Sequence, residues 1–176
     1  MHIINCVKDD IDEIFRLYAI ATIYQKERYS MHWPEFDYKM VEDEIAENRQ
    51  WKLMIDDEIA CVWATTFTDP LIWEERNIDP SLYIHRIATN ENYRGKKFVV
   101  NIVDWAKKYA VGNDKKFVRL DTTGLNEKLI AHYTKCGFTF LELRRLKNTD
   151  GLPRHYHNAD ISLFELEVYE AFAIKT

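Results

Sequence analysis

The stretch 92-NYRGKKFVVNIVDWAKKYA-110 places a short basic loop directly ahead of a long amphipathic segment. Apolar residues recur on one side of this segment at helical spacing, and polar residues occupy the other side. The pattern predicts a helix with one buried face that begins just after the glycine of the loop. The first turn of a helix leaves its backbone N–H groups without partners and carries the positive end of the dipole. The sequence therefore predicts an anion-binding site at this helix start.

The flanking segments predict a mixed α/β (α+β) arrangement. The apolar run 82-LYIHRIAT-89 predicts a buried central strand, whereas the loop 69–81 holds two prolines and is expected to be irregular. Further strands are expected near residues 2–7, 51–55, 59–67, 117–123, 138–146 and 159–167. Other helices are expected after Asp9-Asp10, after Asp37 and over residues 126–135. The predicted order is β-α-α-β-β-β-α-β-α-β-β.

The composition is that of a folded protein with one sizeable core. The chain has 176 residues, of which 47% are hydrophobic and 14% aromatic, with no Ser/Gly-rich linker. We therefore expect one domain spanning residues 1–176. Lys and Arg number 24 against 29 Asp and Glu, which gives a net charge of 24 − 29 = −5. This balance disfavours broad binding to nucleic acid or to an anionic membrane, so a phosphate site must be local.

The cysteines and the N-terminus indicate the cellular setting. Cys6, Cys61 and Cys136 lie far apart and form no CxxC pair, so neither a disulfide framework nor a zinc site is indicated. The N-terminal residues are too polar for a signal peptide, and no window approaches the ~18 apolar residues of a membrane-spanning helix. We expect a soluble, cytoplasmic protein.

The strand 82–89, the loop 92-NYRGKKF-98 and the segment 126-NEKLIAHYTKCGF-138 together resemble the GNAT superfamily of acetyl-CoA-dependent N-acetyltransferases. The resemblance covers most of the chain and is most specific over residues 82–140, which would form the acetyl-CoA-binding core. It implies a mostly antiparallel central sheet of six to seven strands flanked by about four helices. In the family an Arg/Gln-x-x-Gly-x-Gly/Ala loop cradles the pyrophosphate of coenzyme A. Arg94 fits the first position, but Lys97 and Val99 stand where the family usually has Gly, and Gly or Ala.

The resemblance also implies which residues bind the cofactor. Backbone groups of Ile87 and Thr89 would pair with the pantetheine arm as though it were an added strand. The full implied set is Ile87, Thr89, Arg94, Gly95, Lys96, Lys97, Phe98, Val99, Asn126 and Lys128. Asn126 is expected to bond the pantetheine amides, to cap its own helix, or both. Lys97 and Val99 lack the freedom of glycine, so we expect them to crowd the pyrophosphate or shift the loop path without abolishing binding.

The reaction implied by the resemblance needs a proton donor and a proton acceptor. A thiolate must leave, and a thiol has a pKa of about 8.5, so a phenol beside the sulfur can supply its proton. Tyr133 is the candidate for this general acid; the alternative is a tyrosine that only packs. His85, Asp121 and the carboxylates of Glu74 and Glu75 are the candidates for the general base.

The acceptor is expected to bind between the first two helices, the loop before residue 82 and the last strands. Trp33, Trp73 and Glu74 could hold a cationic amine there through ring faces and a carboxylate. The loop 147–158, with Arg154, His155 and His157, could instead recognise an acidic group. Because these two histidines have no cysteine or carboxylate at ligand spacing, we expect no metal.

Two functions remain open from the sequence. The first is transfer of an acetyl group from acetyl-CoA to a primary amine of a small molecule or peptide, by direct attack in a ternary complex. The second is a non-catalytic acyl-CoA-binding sensor or interaction domain, which the departures at Lys97 and Val99 favour. The tail 168–176 has enough apolar residues to pack on a partner, so a homodimer is possible.

Overall fold

Seven strands form one mixed sheet in the computed structural model, which describes residues 1–29 and 31–168. The strands are β1 His2–Asn5, β2 Gln50–Ile55, β3 Glu58–Thr66, β4 Ser81–Thr89, β5 Phe117–Thr123, β6 Thr139–Arg145 and β7 Asp160–Glu167. The helices are α1 Ile11–Arg28, α2 Tyr38–Ala46, α3 Pro70–Trp73, α4 Phe98–Val111 and α5 Glu127–Lys135. The predicted mixed fold is confirmed, and every predicted strand and helix is present near its expected position.

The segment between β3 and β4 departs from the prediction, because it is helical rather than irregular. The short helix α3 and a 3-10 helix over Glu74–Ile78 fill it. Pro70 occupies the first helical turn, where the missing N–H costs no hydrogen bond. Ile72 and Trp73 then bury their side chains against the sheet. The proline that suggested a loop is thus the start of a helix.

The sheet order is β1-β2-β3-β4-β5-β7-β6, and only the central pair β4–β5 is parallel. That pair is short: it runs from Ser81 to Tyr83 on β4 and from Phe117 to Arg119 on β5. Beyond these residues β4 continues to pair with β3, and β5 continues to pair with β7. The two central strands therefore part, and a wedge opens between residues 84–89 and 120–123.

The two faces of the sheet carry different helices. Ile102 and Ala106 of α4 pack with Leu82 of β4, and Tyr133 of α5 borders the same cluster. On the other side, α1 and α2 pack against Val62 and Ala88. Successive strand residues point to opposite faces, so these are the two sides of one sheet. We call them the α4 face and the α1 face.

A β-bulge interrupts β4 beside the wedge. Between the pairs Val62–Ala88 and Ala64–His85, one residue of β3 opposes two residues of β4, Arg86 and Ile87. Arg86 lies in this bulge with a φ of 53°, a region that non-glycine residues rarely adopt. The bulge directs the Arg86 side chain to Glu44 of α2.

Among the described residues, no helix has the length and apolar content needed to cross a membrane. The tail proposed as a dimer contact lies, from residue 169 onward, outside the described residues.

Candidate active site

The wedge between β4 and β5 opens into a cavity of about 1050 Å³ that reaches both faces of the sheet. Residues 84–87 of β4 and 120–124 after β5 line its middle. The α4 face contributes the loop 93–99 and one side of α5. The α1 face contributes the end of α1, the segment 31–36, Glu44, Asp69 and residues 152–156.

The basic loop meets the cavity at the start of α4. Lys97 is the N-cap, with φ 57° and ψ 40°, the left-handed region that glycine adopts most easily. Gly95 has a φ of +82°, and a Cβ added there would meet nothing within 4 Å. Within residues 1–29 and 31–168, no side chain caps the start of α4. Lys97 thus supports a glycine-type loop path, and the helix start is open to an anion.

Four cations surround this end of the cavity: Arg28, Arg94, Lys96 and Lys97. The guanidinium groups of Arg28 and Arg94 lie 3.9 and 5.0 Å from the centroid of the Tyr24 ring. Arg28 comes from the end of α1, far from the basic loop in the sequence, so the sequence of the loop could not predict that Arg28 joins this cluster. The cluster and the α4 start fit a ligand with several negative charges, such as coenzyme A.

The start of α5 is held by Asn126, whose Oδ1 accepts from the N–H groups of Lys128 and Leu129 at 3.1 and 3.2 Å. This capping uses only the acceptor oxygen, so the amide nitrogen can still donate to a ligand. Tyr133 lies further along α5 and lines the cavity. Its ring packs on that of Phe164, with ring centroids 5.1 Å apart. Burial raises the pKa of Tyr133 above its ordinary value, so the phenol stays protonated at neutral pH.

On the α1 face, the next side chains after the last β4–β5 pair are His85 and Asp121. They meet Asp69, which precedes α3, and the three groups place one ligand-type atom each within 4.8 Å of one another. His85 Nε2 lies 3.6 Å from Asp69 Oδ2. Tyr156 Oη donates to Asp121 Oδ2 at 2.8 Å. We call Asp69, His85 and Asp121 the carboxylate–histidine cluster; groups of this kind can accept protons or hold a cation.

Burial changes the protonation of the carboxylate–histidine cluster. It raises the pKa of Asp69 to about 8, with the neighbouring Asp121 carboxylate as a second cause. Burial likewise raises the pKa of Asp121 to about 6. The pKa of His85 falls to about 3 through burial and the nearby Arg86, so the imidazole is neutral. The cluster therefore holds proton acceptors with pKa values on both sides of neutrality.

The outer part of the cavity on the α1 face is aromatic. Trp33 and Phe36 contact each other with ring centroids 5.6 Å apart, and both pack on Tyr18. Beneath them, Arg86 Nη2 bonds both carboxylate oxygens of Glu44, at 2.6 and 2.5 Å. This chamber has apolar walls over a neutralised ion pair.

The structure brings most of the predicted site residues to the cavity. These are His85, Ile87, Thr89, Arg94, Gly95, Lys96, Lys97, Phe98, Val99, Asp121, Asn126, Tyr133 and Trp33. Three others lie elsewhere. Lys128 is exposed beyond the lining, and Trp73 is fully buried against Tyr83, with ring centroids 5.6 Å apart. Glu74 forms ion pairs with Arg144 and Lys147 at 3.4 and 3.2 Å.

Sequence reasoning missed Asp69 and Tyr156. Asp69 stood before a proline in an apparent loop, and Tyr156 lies in the β6–β7 connection, 35 residues from Asp121 along the chain. Nothing local marks either residue. Only the folded sheet brings them beside His85.

Comparisons with known proteins agree with the family resemblance and with the fold. A profile of the Acetyltransferase (GNAT) family matches residues 14–138. YesJ of Bacillus subtilis (strain 168), an uncharacterised N-acetyltransferase, is 22% identical over 143 residues, covering 77% of this chain and 79% of YesJ. A GNAT family acetyltransferase from Listeria monocytogenes 4b F2365 superposes with a TM-score of 0.76 at 21% identity, over 95% of this chain and 94% of that chain. The putative acetyltransferase yncA from Salmonella typhimurium, solved with its cofactor acetyl-CoA, gives 0.68 at 12% identity, over 98% and 96%.

Proposed function

Because the chain belongs to the GNAT family of acetyltransferases, we propose that it transfers the acetyl group of acetyl-CoA to a primary amine of a small molecule or peptide. The wedge between β4 and β5 is the observation that carries this proposal. It joins the basic loop and Tyr133 on the α4 face to proton acceptors on the α1 face, in one continuous cavity. A cofactor and an acceptor can therefore meet there from opposite sides of the sheet.

The α4 face has the groups that a polyanionic cofactor needs. The α4 start and the side chains of Arg94, Lys96 and Lys97 would bind the pyrophosphate. The unpaired edge of β4 at Ile87 and Thr89 would bind the pantetheine arm through backbone groups. Acetyl-CoA supplies the activated acetyl thioester; the residues of the chain orient it and move protons.

Proton transfer is assigned to the side chains at the wedge. Tyr133 is the proton donor to the leaving sulfur, since its phenol is protonated and lines the cavity. His85 and Asp121 are the acceptors carried from the sequence, and both face the cavity. Burial raises the pKa values of Cys6 and Cys61 to about 12, so neither is a thiolate nucleophile at neutral pH. This supports direct transfer in a ternary complex.

Calorimetric titration with acetyl-CoA tests the proposal, beside coenzyme A lacking its 3′-phosphate and beside ATP. We expect micromolar binding that favours acetyl-CoA. The double variant Arg94→Ala, Lys96→Ala should weaken binding about tenfold or more, because it removes two cations next to the α4 start. The matched control is Lys107→Ala, Lys108→Ala on the exposed side of α4, which should bind normally. Absence of acetyl-CoA binding to the unmodified protein would refute the proposed acetyltransferase function.

A further inference from the structure

Asp69 is the member of the carboxylate–histidine cluster whose hydrogen bonding is incomplete, because its side chain receives a hydrogen bond from the Ile72 backbone but one of its oxygens receives none. Its Oδ2 is buried and has no hydrogen-bond partner among the described residues. The side chain is only 13% exposed. Its position is nevertheless fixed, since the Asp69 N–H donates to Asn77 Oδ1 at 2.6 Å. A buried carboxylate oxygen without a donor is costly, so a ligand that brings a donor to Oδ2 would be favoured here.

The groups that neighbour Asp69 indicate what kind of ligand would fit beside it. Asp121 already accepts from Tyr156, and neutral His85 offers ring nitrogens. The three groups face the cavity and together offer acceptors within 4.8 Å of one another. A primary ammonium carries three N–H donors and one positive charge. It would satisfy Asp69 and lie between two carboxylates.

The rest of the chamber selects against an acidic group on the same molecule. Arg86 and Arg49, which line the chamber, both pair with Glu44. Burial lowers the pKa of His155 to about 4, so this histidine is uncharged at neutral pH. A carboxylate next to the amine would face Asp69 and Asp121, and the two arginines of the chamber, among the described residues, are already paired with Glu44. The walls nearby, including Trp33 and Phe36, suit an apolar or aromatic body.

We propose that Asp69, His85 and Asp121 form the binding site for the ammonium group of an apolar primary amine that lacks an adjacent acid group, with Asp69 Oδ2 as its proton acceptor. This inference rests on the proposed function. One N–H proton moves to Asp69, and the freed electron pair on nitrogen bonds the thioester carbonyl carbon. The C–S bond breaks, its electrons go to sulfur, and Tyr133 protonates the sulfur. The second proton lost from nitrogen leaves through His85 or Asp121 and restores the Tyr133 phenol; Asp69 releases its proton to solvent.

The titration behaviour of the cluster agrees with this assignment. The charged and titratable groups facing Asp69 are His85 on β4, Asp121 on β5 and Tyr156 in the β6–β7 connection. Free Asp69, with its pKa raised to about 8, gains its charge as the pH rises through that value. The rate constant kcat/KM should therefore rise with pH over the same range.

The test uses 2-phenylethylamine and phenylalanine, which differ only in a carboxylate beside the amine, with acetyl-CoA as donor. We expect acetylation of 2-phenylethylamine with kcat/KM at least about 100-fold above that of phenylalanine. Asp69→Asn should lower kcat/KM by about 10²-fold or more and remove the rise near pH 8. Asp69→Glu keeps a carboxylate and should recover part of the rate. Glu35→Gln is the control, since it removes an exposed carboxylate near, but not in, the cavity lining.

The outcomes separate this inference from the proposed function. Equal rates for the two probes, or an Asp69→Asn variant that behaves like Glu35→Gln, would overturn it. So would loss of activity on adding a chelator, because the cluster would then hold a metal ion. If neither probe is acetylated, the assigned amine class is wrong. In each case acetyl-CoA binding, measured separately by calorimetry, still tests the cofactor site on which the proposed function depends. The comparison of the two probes uses the unmodified protein, so it does not depend on the folding of a variant.

Discussion

The two ends of the cavity are built in different ways. On the α4 face, the proposed cofactor end comes mainly from one stretch, residues 82–133, and offers backbone groups, a helix start and exposed cations. On the α1 face, the acceptor end is assembled from the end of α1, the segment 31–36, α2, Asp69 and the β6–β7 connection. We expect a backbone site to tolerate changes of side chain, such as Lys97 at the N-cap of α4. We expect a side-chain site to change its ligand when one residue changes, so we propose that the acceptor end sets the specificity.

The acceptor end should depend most on the ion pair that forms its floor. Glu44→Gln leaves Arg86 buried without a counter-charge, and breaking a buried pair in this way costs about 3–5 kcal/mol. We expect a loss of this size in the free energy of unfolding, measured by urea denaturation. At a protein concentration and temperature where the variant is folded, acetyl-CoA affinity should stay within twofold, because the cofactor end lies across the sheet.

The nearby Glu47→Gln is the matched control for this prediction. Glu47 also pairs with an arginine, Arg49, at 2.6 Å, but its side chain is 59% exposed. Exposed pairs contribute at most about 1 kcal/mol. If both variants lost the same free energy of unfolding, the buried Arg86–Glu44 pair would stabilise the protein no more than an exposed pair does. The acceptor end would then not depend on this ion pair.

Tyr133, the proposed proton donor, tests the chemistry assigned to the cofactor end. Tyr133→Phe keeps the ring that packs on Phe164 and removes the phenolic proton, so kcat should fall by about 10²- to 10³-fold. Acetyl-CoA affinity, measured by calorimetry, should change less than twofold. Phe140→Leu, a ring change on the other side of Phe164, controls for packing. A protein that binds acetyl-CoA with no turnover to lose would instead be a binding domain, the alternative left open by the sequence.

Much of the fold could be predicted because its signals are local. The alternation in β5 gave its bounds as 117–123, and Asp37 caps α2 through a bond to the Lys39 N–H at 2.7 Å, as its position suggested. The helix α3 was missed because a proline marks both a loop and a first helical turn. The bulge at Arg86 was missed because it depends on the register with β3, which the sequence of β4 does not contain.

The residues proposed for the cofactor end follow one another along the chain, so their grouping at one end of the cavity could be predicted for the same reason. The acceptor end could be predicted only in part, since His85, Asp121 and Trp33 line the cavity as expected and Trp73 and Glu74 do not. Trp73 was expected there as an exposed aromatic residue, but the Arg119 guanidinium lies 4.7 Å from its ring centroid and covers it inside the fold. Asp69 and Tyr156 meet His85 and Asp121 only through long-range pairing of strands. Side-chain sites assembled from distant segments leave no periodic or spaced pattern to find.

His85 gives a smaller, pH-dependent measure of the acceptor end. Its pKa is about 3 in the folded protein against an ordinary 6.5, so between these values the unfolded chain binds a proton that the folded chain does not. This lowers stability as the pH falls, by at most about 1.4 kcal/mol per pH unit. Asp69 and Asp121, with raised pKa values, act in the opposite direction.

The variant His85→Gln removes only the histidine contribution. From pH 6.5 down to 4.5, its free energy of unfolding should therefore rise relative to that of the unmodified protein, by up to about 1.4 kcal/mol per pH unit. Urea denaturation at several pH values measures the difference. His2→Gln, at an exposed position on β1, is the control. Parallel pH curves for His85→Gln and the unmodified protein would mean that His85 is not buried as a neutral group.

Lys97 should give the smallest effect, and it separates conformation from charge at the cofactor end. Lys97→Ala removes the cation but keeps a side chain at a φ of 57°, whereas Lys97→Gly removes both the cation and the left-handed strain. We expect both variants to weaken acetyl-CoA binding by the same few-fold factor, since the backbone site persists. The glycine variant should be more stable than the alanine variant by about 1 kcal/mol in thermal unfolding.

The control for this prediction is Asp114, which has a φ of 56° beyond α4. Asp114→Gly and Asp114→Ala should show the same difference in stability, with unchanged acetyl-CoA affinity. If Lys97→Gly bound acetyl-CoA more tightly than the unmodified protein, crowding by the lysine side chain would outweigh its charge, and the cofactor end would not be the side-chain-tolerant site described above.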